Sequence, residues 1–157
     1  MQISYLADHI HLTPLLAKWH HNEWCHLTPW ENLEGCAERL KNEAQRSGVP
    51  TVLVAVDDGK LLGSASIVVH DMKGREDLSP WMAGVFVAPA YRRQGIGTKL
   101  AQGVVDEAGK QGIPVLYLYT TGKENESFYA RLGWSVKERV DYLGKLRVVM
   151  EIKLCAV

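Results

Sequence analysis

An α+β fold is predicted by the order of strand and helix patterns along this 157-residue chain. Three observations carry the prediction. An apolar strand passes through a glycine-rich turn into an amphipathic helix within residues 81–110, a hairpin signal occupies Asp57–Lys60, and a last pair of strands turns at Leu143-Gly144. The full order is β-α-α-β-β-β-α-β-α-β-β, which gives seven strands and four helices.

The first third of the chain predicts one short strand and two helices. Residues 2–6 form an edge strand, and a helix begins near Thr13, whose hydroxyl is expected to cap it with Pro14 in the first turn. A second helix covers residues 31–46, because apolar residues recur there at three- and four-residue steps. Ser47-Gly48-Val49-Pro50 ends this helix.

The remaining elements follow from the same patterns. Strands are predicted at residues 51–56 and 61–70, with a bulge at Gly63, and the next strand ends at Val87. After the long helix that follows Gly97, the chain predicts a buried strand, a short helix and a closing hairpin, at residues 115–119, 123–132, 134–142 and 145–154. No repeat or linker interrupts the pattern, so residues 1–157 are expected to form a single domain.

Composition narrows the function classes. The chain is 46% hydrophobic and 23% charged, with a formal net charge of zero, as is usual for a soluble globular protein. Nothing in this balance points to nucleic acid or an anionic membrane. No apolar run is long enough to span a bilayer, and the N-terminus lacks a basic region followed by an apolar one. We therefore expect a cytoplasmic protein with free thiols, since its three cysteines are widely spaced.

The turn Arg92-Arg93-Gln94-Gly95-Ile96-Gly97 has the composition of an anion site. Glycines allow the backbone to approach a ligand closely, and the first N–H groups of a helix have no partners within it. Those N–H groups and the positive end of the helix dipole attract a phosphate, and the two arginines add charge. The turn therefore predicts a pyrophosphate-binding strand–turn–helix.

Two other phosphate loops do not fit. A P-loop needs Gly-x-x-x-x-Gly-Lys-Ser/Thr, and the dinucleotide fingerprint needs a third glycine after Gly95 and Gly97. Arg92-x-x-Gly95-x-Gly97, following a Val-x-Val-x-Pro strand, instead resembles the acyl-coenzyme A signature of the GCN5-related N-acetyltransferase (GNAT) superfamily. Tyr129 followed by Leu132-Gly133-Trp134 resembles the second signature of that family. The resemblance covers the chain from about Thr51; before that it rests on element order.

The resemblance implies a layered α/β/α GNAT fold, with a mixed central sheet of about seven strands flanked by about four helices. It implies an N-acetyltransferase that moves an acetyl group from acetyl-coenzyme A to a primary amine by direct attack in a ternary complex, without a metal. The acceptor stays open among metabolite amines, aminoglycoside-like antibiotics, peptide N-termini and lysine side chains. The protein is expected to be a monomer or a homodimer.

The resemblance also implies which residues contact the cofactor. Backbone groups of Val85, Phe86 and Val87 would pair with the pantetheine amides, and a free N–H at Val87 could hold the oxyanion. Many relatives place a pantetheine-contacting Asn seven residues before the Tyr; Gly122 stands there, and Asn125 is the candidate replacement. The pyrophosphate would contact the turn and the first helical turn: Arg92, Arg93, Gln94, Gly95, Ile96, Gly97 and Thr98.

Tyr129 is, by the same resemblance, the candidate general acid for the departing thiolate; the alternative is an aromatic that packs on the cofactor or the sheet. The sequence does not identify the general base. Glu76 and Asp77 precede the strand before the turn and are the first candidates, and His70 and Asp71 are the next. The amine could also lose its proton through water.

Three further interpretations compete with this one. A non-catalytic acyl-coenzyme A-binding sensor or scaffold would keep the cofactor cleft without chemistry, and a generic nucleotide-binding domain would accept ATP or NAD. A zinc site from His20, His21, Cys25 and His26 is disfavoured, because adjacent histidines on a helix point in different directions and no second ligand pair has metal-site spacing.

Overall fold

The computed structural model describes residues 1–154 as one mixed seven-stranded sheet with helices on both faces. The strands are β1 Gln2–Tyr5, β2 Thr51–Asp57, β3 Lys60–Val68, β4 Trp81–Val87, β5 Val115–Thr120, β6 Ser135–Tyr142 and β7 Lys145–Lys153. Their order in the sheet is β1-β2-β3-β4-β5-β7-β6, and every neighbouring pair is antiparallel except β4 and β5. The predicted fold class is confirmed.

The four predicted α-helices are present, with altered ends. They are α1 Thr13–Trp24, α2 Leu33–Glu43, α3 Ile96–Lys110 and α4 Lys123–Arg131, and none of them is long and apolar enough to cross a membrane. Helix α2 begins at Leu33, later than predicted, because Asn32 caps it and accepts a hydrogen bond from the Gly35 N–H at 2.7 Å; the helix ends at Glu43.

The predicted capping role of Thr13 is wrong. A 3-10 helix over Leu6–Leu12, which the sequence did not predict, leads directly into α1. Thr13 is already helical (φ −56°, ψ −43°), and its N–H donates to the Ile10 carbonyl. A capping side chain needs an extended backbone, so the buried Thr13 hydroxyl finds no partner within residues 1–154.

Apolar residues on the two faces of the sheet form separate cores. One face packs on α3 and α4, where Leu100, Val104 and Tyr129 lie against strand residues such as Val148. The other face packs on α1 and α2, where Leu16 and Leu40 cover β2 and β3. Side chains alternate along each strand, so neighbouring strand residues belong to different cores.

Gly63 lies beside a bulge, as predicted, but it is not the extra residue. Ala55 pairs with Gly63 and Val56 pairs with Leu61, so Leu62 is the residue without a counterpart in β2. The need for glycine comes from the other neighbour, β4, because a Cβ on Gly63 would collide with the Phe86 carbonyl oxygen. Close backbone approach therefore explains this glycine.

Candidate active site

Strands β4 and β5 separate and open the main cavity. They are parallel and share one register pair, Trp81 with Tyr117, within the described residues. Beyond that pair the β4 edge facing β5 has no strand partner, while the other edge of β4 pairs with β3. A cavity of about 1110 Å³ occupies the gap, lined by Met82–Val87 of β4, by Leu118–Thr120 of β5 and by Thr121, which follows β5. An unpaired edge can hydrogen-bond an extended ligand as a further strand would.

A bulge in β4 re-aims its backbone beside the gap. Ser64 pairs with Phe86 and Ser66 pairs with Ala83, so Gly84 and Val85 together oppose one residue of β3. Gly84 takes a positive φ of +62°, which a side chain would strain. The bulge places Val85, Phe86 and Val87, three of the predicted cofactor residues, along the cavity wall.

The predicted phosphate turn also opens into this cavity. Gly95 precedes α3 in the left-handed region (φ +81°), and the N–H groups of Ile96, Gly97 and Thr98 begin the helix. A Cβ at Gly97 would lie 3.7 Å from Phe128, so the helix start packs closely against α4. The cavity is lined by Arg92, Arg93, Gly95, Ile96, Gly97 and Thr98, but Gln94 does not line it.

Arg92 has a role that sequence reasoning did not find. Its Nε donates to the Val87 carbonyl at 2.8 Å, and its guanidinium lies 5.6 Å from the centre of the Phe86 ring. The side chain therefore ties the turn back to the end of β4, in addition to bringing charge to the cavity.

Tyr129 lines the cavity and is also part of the core. The centre of its ring lies 5.0 Å from that of Phe128 and 6.2 Å from that of Trp134, both in edge-on contacts, and Tyr129 is 9% exposed. Burial raises the pKa of the phenol to about 12, so it stays protonated at neutral pH. Asn125, one turn earlier on α4, lines the same cavity and donates its side-chain N–H to the Thr121 carbonyl at 2.9 Å.

The two first-choice bases are separated by the structure. Glu76 lines the cavity and accepts a hydrogen bond from the Gly74 N–H at 3.1 Å, which lowers the pKa of this exposed carboxyl. Asp77 does not line the cavity. Arg75 holds it with two hydrogen bonds of 3.0 and 3.1 Å, and this pairing lowers the pKa of Asp77. The arginine two residues away, within the same loop, directs Asp77 away from the site.

Asp71, a second-choice base, has the environment expected of one. It lines the cavity just beyond the end of β3. Burial raises its pKa to about 7; the positive charge of Arg39 opposes the shift and the negative charge of Glu43 adds to it. Sequence reasoning ranked Asp71 second, because the charges of Arg39 and Glu43 on α2 come near it only in the folded chain.

His20 is buried beneath the bulge of β4. Its Nε2 lies 2.8 Å from Ser64 Oγ, and Ser64 Oγ donates to the Gly84 carbonyl at 2.8 Å. Burial lowers the pKa of His20 to about 3, so the imidazole is neutral and donates its N–H to the serine. Within residues 1–154 no three His, Cys, Asp or Glu side chains are grouped to hold a metal.

An arginine whose charge is paired by two glutamates lies on the α2 side of the cavity. Arg39 donates to Glu31 at 2.9 Å and to Glu43 at 3.1 Å, and all three residues line the cavity. Its Nη2 also lies 3.4 Å from the sulfur of Cys36. Sequence reasoning missed this cluster, because an Arg and a Glu four residues apart on a helix more often form an exposed pair.

Comparison with known sequences places this site in a family context. The family model described as the acetyltransferase (GNAT) family matches residues 11–134. An uncharacterized N-acetyltransferase of Methanocaldococcus jannaschii is 41% identical over 71 residues, which are 43% of this chain and 30% of that protein. N-alpha-acetyltransferase 30 of Schizosaccharomyces pombe is 34% identical over 90 residues, which are 55% of this chain and 59% of that protein. The matches thus span less than two thirds of either curated relative.

Solved structures agree on the fold across nearly the whole chain. An aminoglycoside 6'-N-acetyltransferase complexed with coenzyme A superposes with a TM-score of 0.76 at 18% identity, covering 98% of this chain and 97% of that one. A ribosomal-protein-alanine N-acetyltransferase from Brucella melitensis gives 0.76 at 20% identity, covering 98% and 100%. At these identities the likeness establishes the fold alone.

Proposed function

We propose, since this chain belongs to the acetyltransferase (GNAT) family, that it moves an acetyl group from acetyl-coenzyme A to a primary amine. The membership confirms the family resemblance predicted from the two signatures. The proposal depends on one observation: the open edge of β4 and the start of α3 face the same cavity. A single ligand that carries both amides and a pyrophosphate can therefore use both.

The backbone supplies most of the cofactor contacts in this proposal. Val85, Phe86 and Val87 offer N–H and C=O groups to the pantetheine amides, as a neighbouring strand would. The N–H groups at the start of α3, together with the helix dipole, hold the pyrophosphate, and Arg93 adds positive charge. Asn125 has its amide N–H on Thr121, which leaves its side-chain oxygen to accept from pantetheine.

Tyr129 serves the leaving group. In direct attack the amine nitrogen forms a bond to the acetyl carbon, and the carbon–sulfur bond breaks with its electrons on sulfur. Because its pKa is raised to about 12, Tyr129 is protonated at neutral pH and can donate to the developing thiolate. A free thiol has a pKa of about 8.5, so complete proton transfer from the phenol to the thiolate is uphill in water. The hydrogen bond from the phenol to the sulfur stabilises the negative charge that develops there.

Asp71 is the proposed base. An alkyl ammonium has a pKa of about 10 and must lose a proton before it can attack. With a pKa of about 7, Asp71 accepts a proton far more readily than an ordinary carboxylate, directly or through water. Glu76 also lines the cavity but has a lowered pKa, which makes it the weaker candidate.

The test follows released thiol from acetyl-coenzyme A over a panel of primary amines. Tyr129→Phe is expected to lower kcat about 10²- to 10⁴-fold while coenzyme A affinity changes little. Tyr117→Phe is the control, because it removes the phenol hydroxyl of a tyrosine on β5 that lies beside the gap but does not line the cavity. Full activity of Tyr129→Phe would remove the phenol from the mechanism.

A non-catalytic acyl-coenzyme A-binding module is the second candidate function, favoured by the engagement of Tyr129 in the core. It predicts coenzyme A binding without turnover on any amine of the panel. The acceptors in the neighbours' names, an aminoglycoside and an alanine of a ribosomal protein, are starting members of that panel. We further propose that the chain acts in the cytoplasm, consistent with the free thiols of Cys25 and Cys36, and as a monomer or homodimer.

A further inference from the structure

Arg147 is a buried arginine of the cavity wall that has no acidic partner. Its side chain lies on β7 and is 6% exposed. Its Nε donates to the Tyr142 carbonyl at 3.1 Å, and its Nη1 donates to Thr121 Oγ1 at 2.9 Å. Within residues 1–154 no carboxylate oxygen comes within 4.0 Å of it. Burying an unpaired guanidinium is costly, so its charge calls for an explanation.

Arg39, a second arginine of the cavity wall, has the acidic partners that Arg147 lacks within residues 1–154. Both arginines line the same cavity, but Arg39 is held by Glu31 and Glu43 and has no need of a ligand. Arg147 has only neutral acceptors, and both N–H groups of its Nη2 lack an acceptor in the described chain. The edge formed by Nη1 and Nη2 is the geometry that binds a carboxylate through two parallel hydrogen bonds.

The position of Arg147 separates it from the cofactor phosphates. Side chains alternate along β7: Val148 and Met150 pack on the core under α3, while Val149 packs with Trp81 on the opposite face. Arg147 shares the face of Val149. The start of α3, where the pyrophosphate is proposed to bind, packs on the other face through Ile96. An anion at Arg147 therefore comes from the second substrate.

Resting on the proposed function, we infer that the acceptor is a primary amine that also carries a carboxylate, and that Arg147 binds this carboxylate. Asp71 lines the same cavity at the end of β3 and would face the amine. Tyr119 lines the same cavity and is near both charges: burial raises the pKa of its phenol, Asp71 raises it further, and Arg147 lowers it. A molecule with an amine at one end and a carboxylate at the other matches this arrangement of charges.

The test measures binding of reaction products, so it does not depend on turnover. Calorimetry in the presence of coenzyme A compares N-acetylglycine, N-acetyl-4-aminobutyrate and an N-acetyl-aspartyl peptide amide with their neutral amide counterparts, in which each carboxylate is replaced by a carboxamide. In the wild type at least one carboxylate is expected to bind about 10- to 150-fold more tightly than its amide, the range for a hydrogen bond to a charged group. The probe that shows this preference distinguishes a free amino acid from an acidic peptide N-terminus as the acceptor.

Three variants make the assignment specific. Arg147→Gln should abolish the preference for the carboxylate, leave amide binding and coenzyme A affinity within about twofold, and unfold at a similar temperature. Arg147→Lys should keep part of the preference, because a lysine retains charge without the planar fork. Arg131→Gln, an exposed arginine on α4 away from the cavity, is the matched control and should keep all of it.

Each contrary result has its own meaning. A wild type that binds coenzyme A and acetylates neutral amines, without any preference for carboxylates, overturns this inference and leaves the proposed function standing. Loss of coenzyme A affinity in Arg147→Gln would assign the arginine to the cofactor and also overturn it. A wild type that binds no coenzyme A would overturn the proposed function. In that case, carboxylate binding that is present in the wild type and lost in Arg147→Gln would still support Arg147 as an anion site.

Discussion

Trp81 of β4 and Tyr117 of β5 form the single register pair that joins these two strands within the described residues. Their rings lie 5.9 Å apart, Trp81 is fully buried, and its indole N–H donates to the Leu78 carbonyl at 2.7 Å. This pair closes one end of the gap, and the strands diverge from it. The cavity is therefore a consequence of strand pairing that stops after one residue.

Gly63→Ala should destabilise the protein and disturb the gap. Its Cβ would meet the Phe86 carbonyl, a backbone atom that can move only if β3 and β4 separate. We expect a loss of about 1–3 kcal/mol in the free energy of unfolding, measured by urea titration. Gly109→Ala is the control: nothing lies within 4 Å of its Cβ, so alanine there should stabilise α3 by about 0.5–1 kcal/mol. Equal stabilities would refute the close approach.

Gly97→Asp should weaken coenzyme A binding without unfolding the protein. A carboxylate in the first turn of α3 favours the helix but repels the pyrophosphate. Gly97→Asn has the same shape without the charge. We expect the Kd for coenzyme A to be about 10- to 100-fold higher for the aspartate than for the asparagine, as calorimetry would show. Equal affinities would place the pyrophosphate elsewhere.

Asp71 should control the acidic limb of the pH profile. Its pKa of about 7 means that kcat/KM falls as the pH drops below 7 and the base becomes protonated. Asp71→Asn should lose most activity and that limb with it. The raised pKa also means that the folded state binds a proton more tightly than the unfolded state, so this group lowers stability as the pH rises from about 4 to 7.

The stability effect of Asp71 gives a second measurement. At pH 8 the wild type keeps a partly buried charge that Asp71→Asn lacks, so the variant should be more stable by about 1–2 kcal/mol. At pH 4 the two proteins should be nearly equal. Thermal unfolding at both pH values checks this, and a variant less stable at pH 8 would contradict the burial of a charged Asp71.

His20 should make the fold sensitive to acid. Its folded pKa of about 3 lies below the ordinary value of 6.5, so the unfolded state binds the proton first. Its contribution to stability is complete above pH 6.5 and is lost as the pH falls toward 3, by up to about 1.4 kcal/mol per pH unit. His20→Gln should flatten the difference in unfolding free energy between pH 7.5 and 5; His11→Gln, at an exposed position, should not.

Much of the fold and of the cofactor site can be predicted from the sequence, because these features depend on residues that are close together in the chain. The turn from Arg92 to Gly97 lies between a strand and an amphipathic helix, all within residues 81–110, so the anion site needs no distant contact to be predicted. The strand and helix periodicities likewise report which side chains face a core. The element order, the sheet of seven strands and the place of Tyr129 on α4 were all open to such reasoning.

Only the folded chain decides how distant residues share one environment. The sequence ranks Asp77 ahead of Asp71 as a candidate base, but Arg75 binds Asp77, while Asp71 lines the cavity within reach of the charges of Arg39 and Glu43 on α2. Arg147 reads as one more polar residue of an edge hairpin until β5 pairs with β7 and places it against Thr121. Burial and charge depend on neighbours from every element packed nearby, and a pattern along the chain does not contain those neighbours.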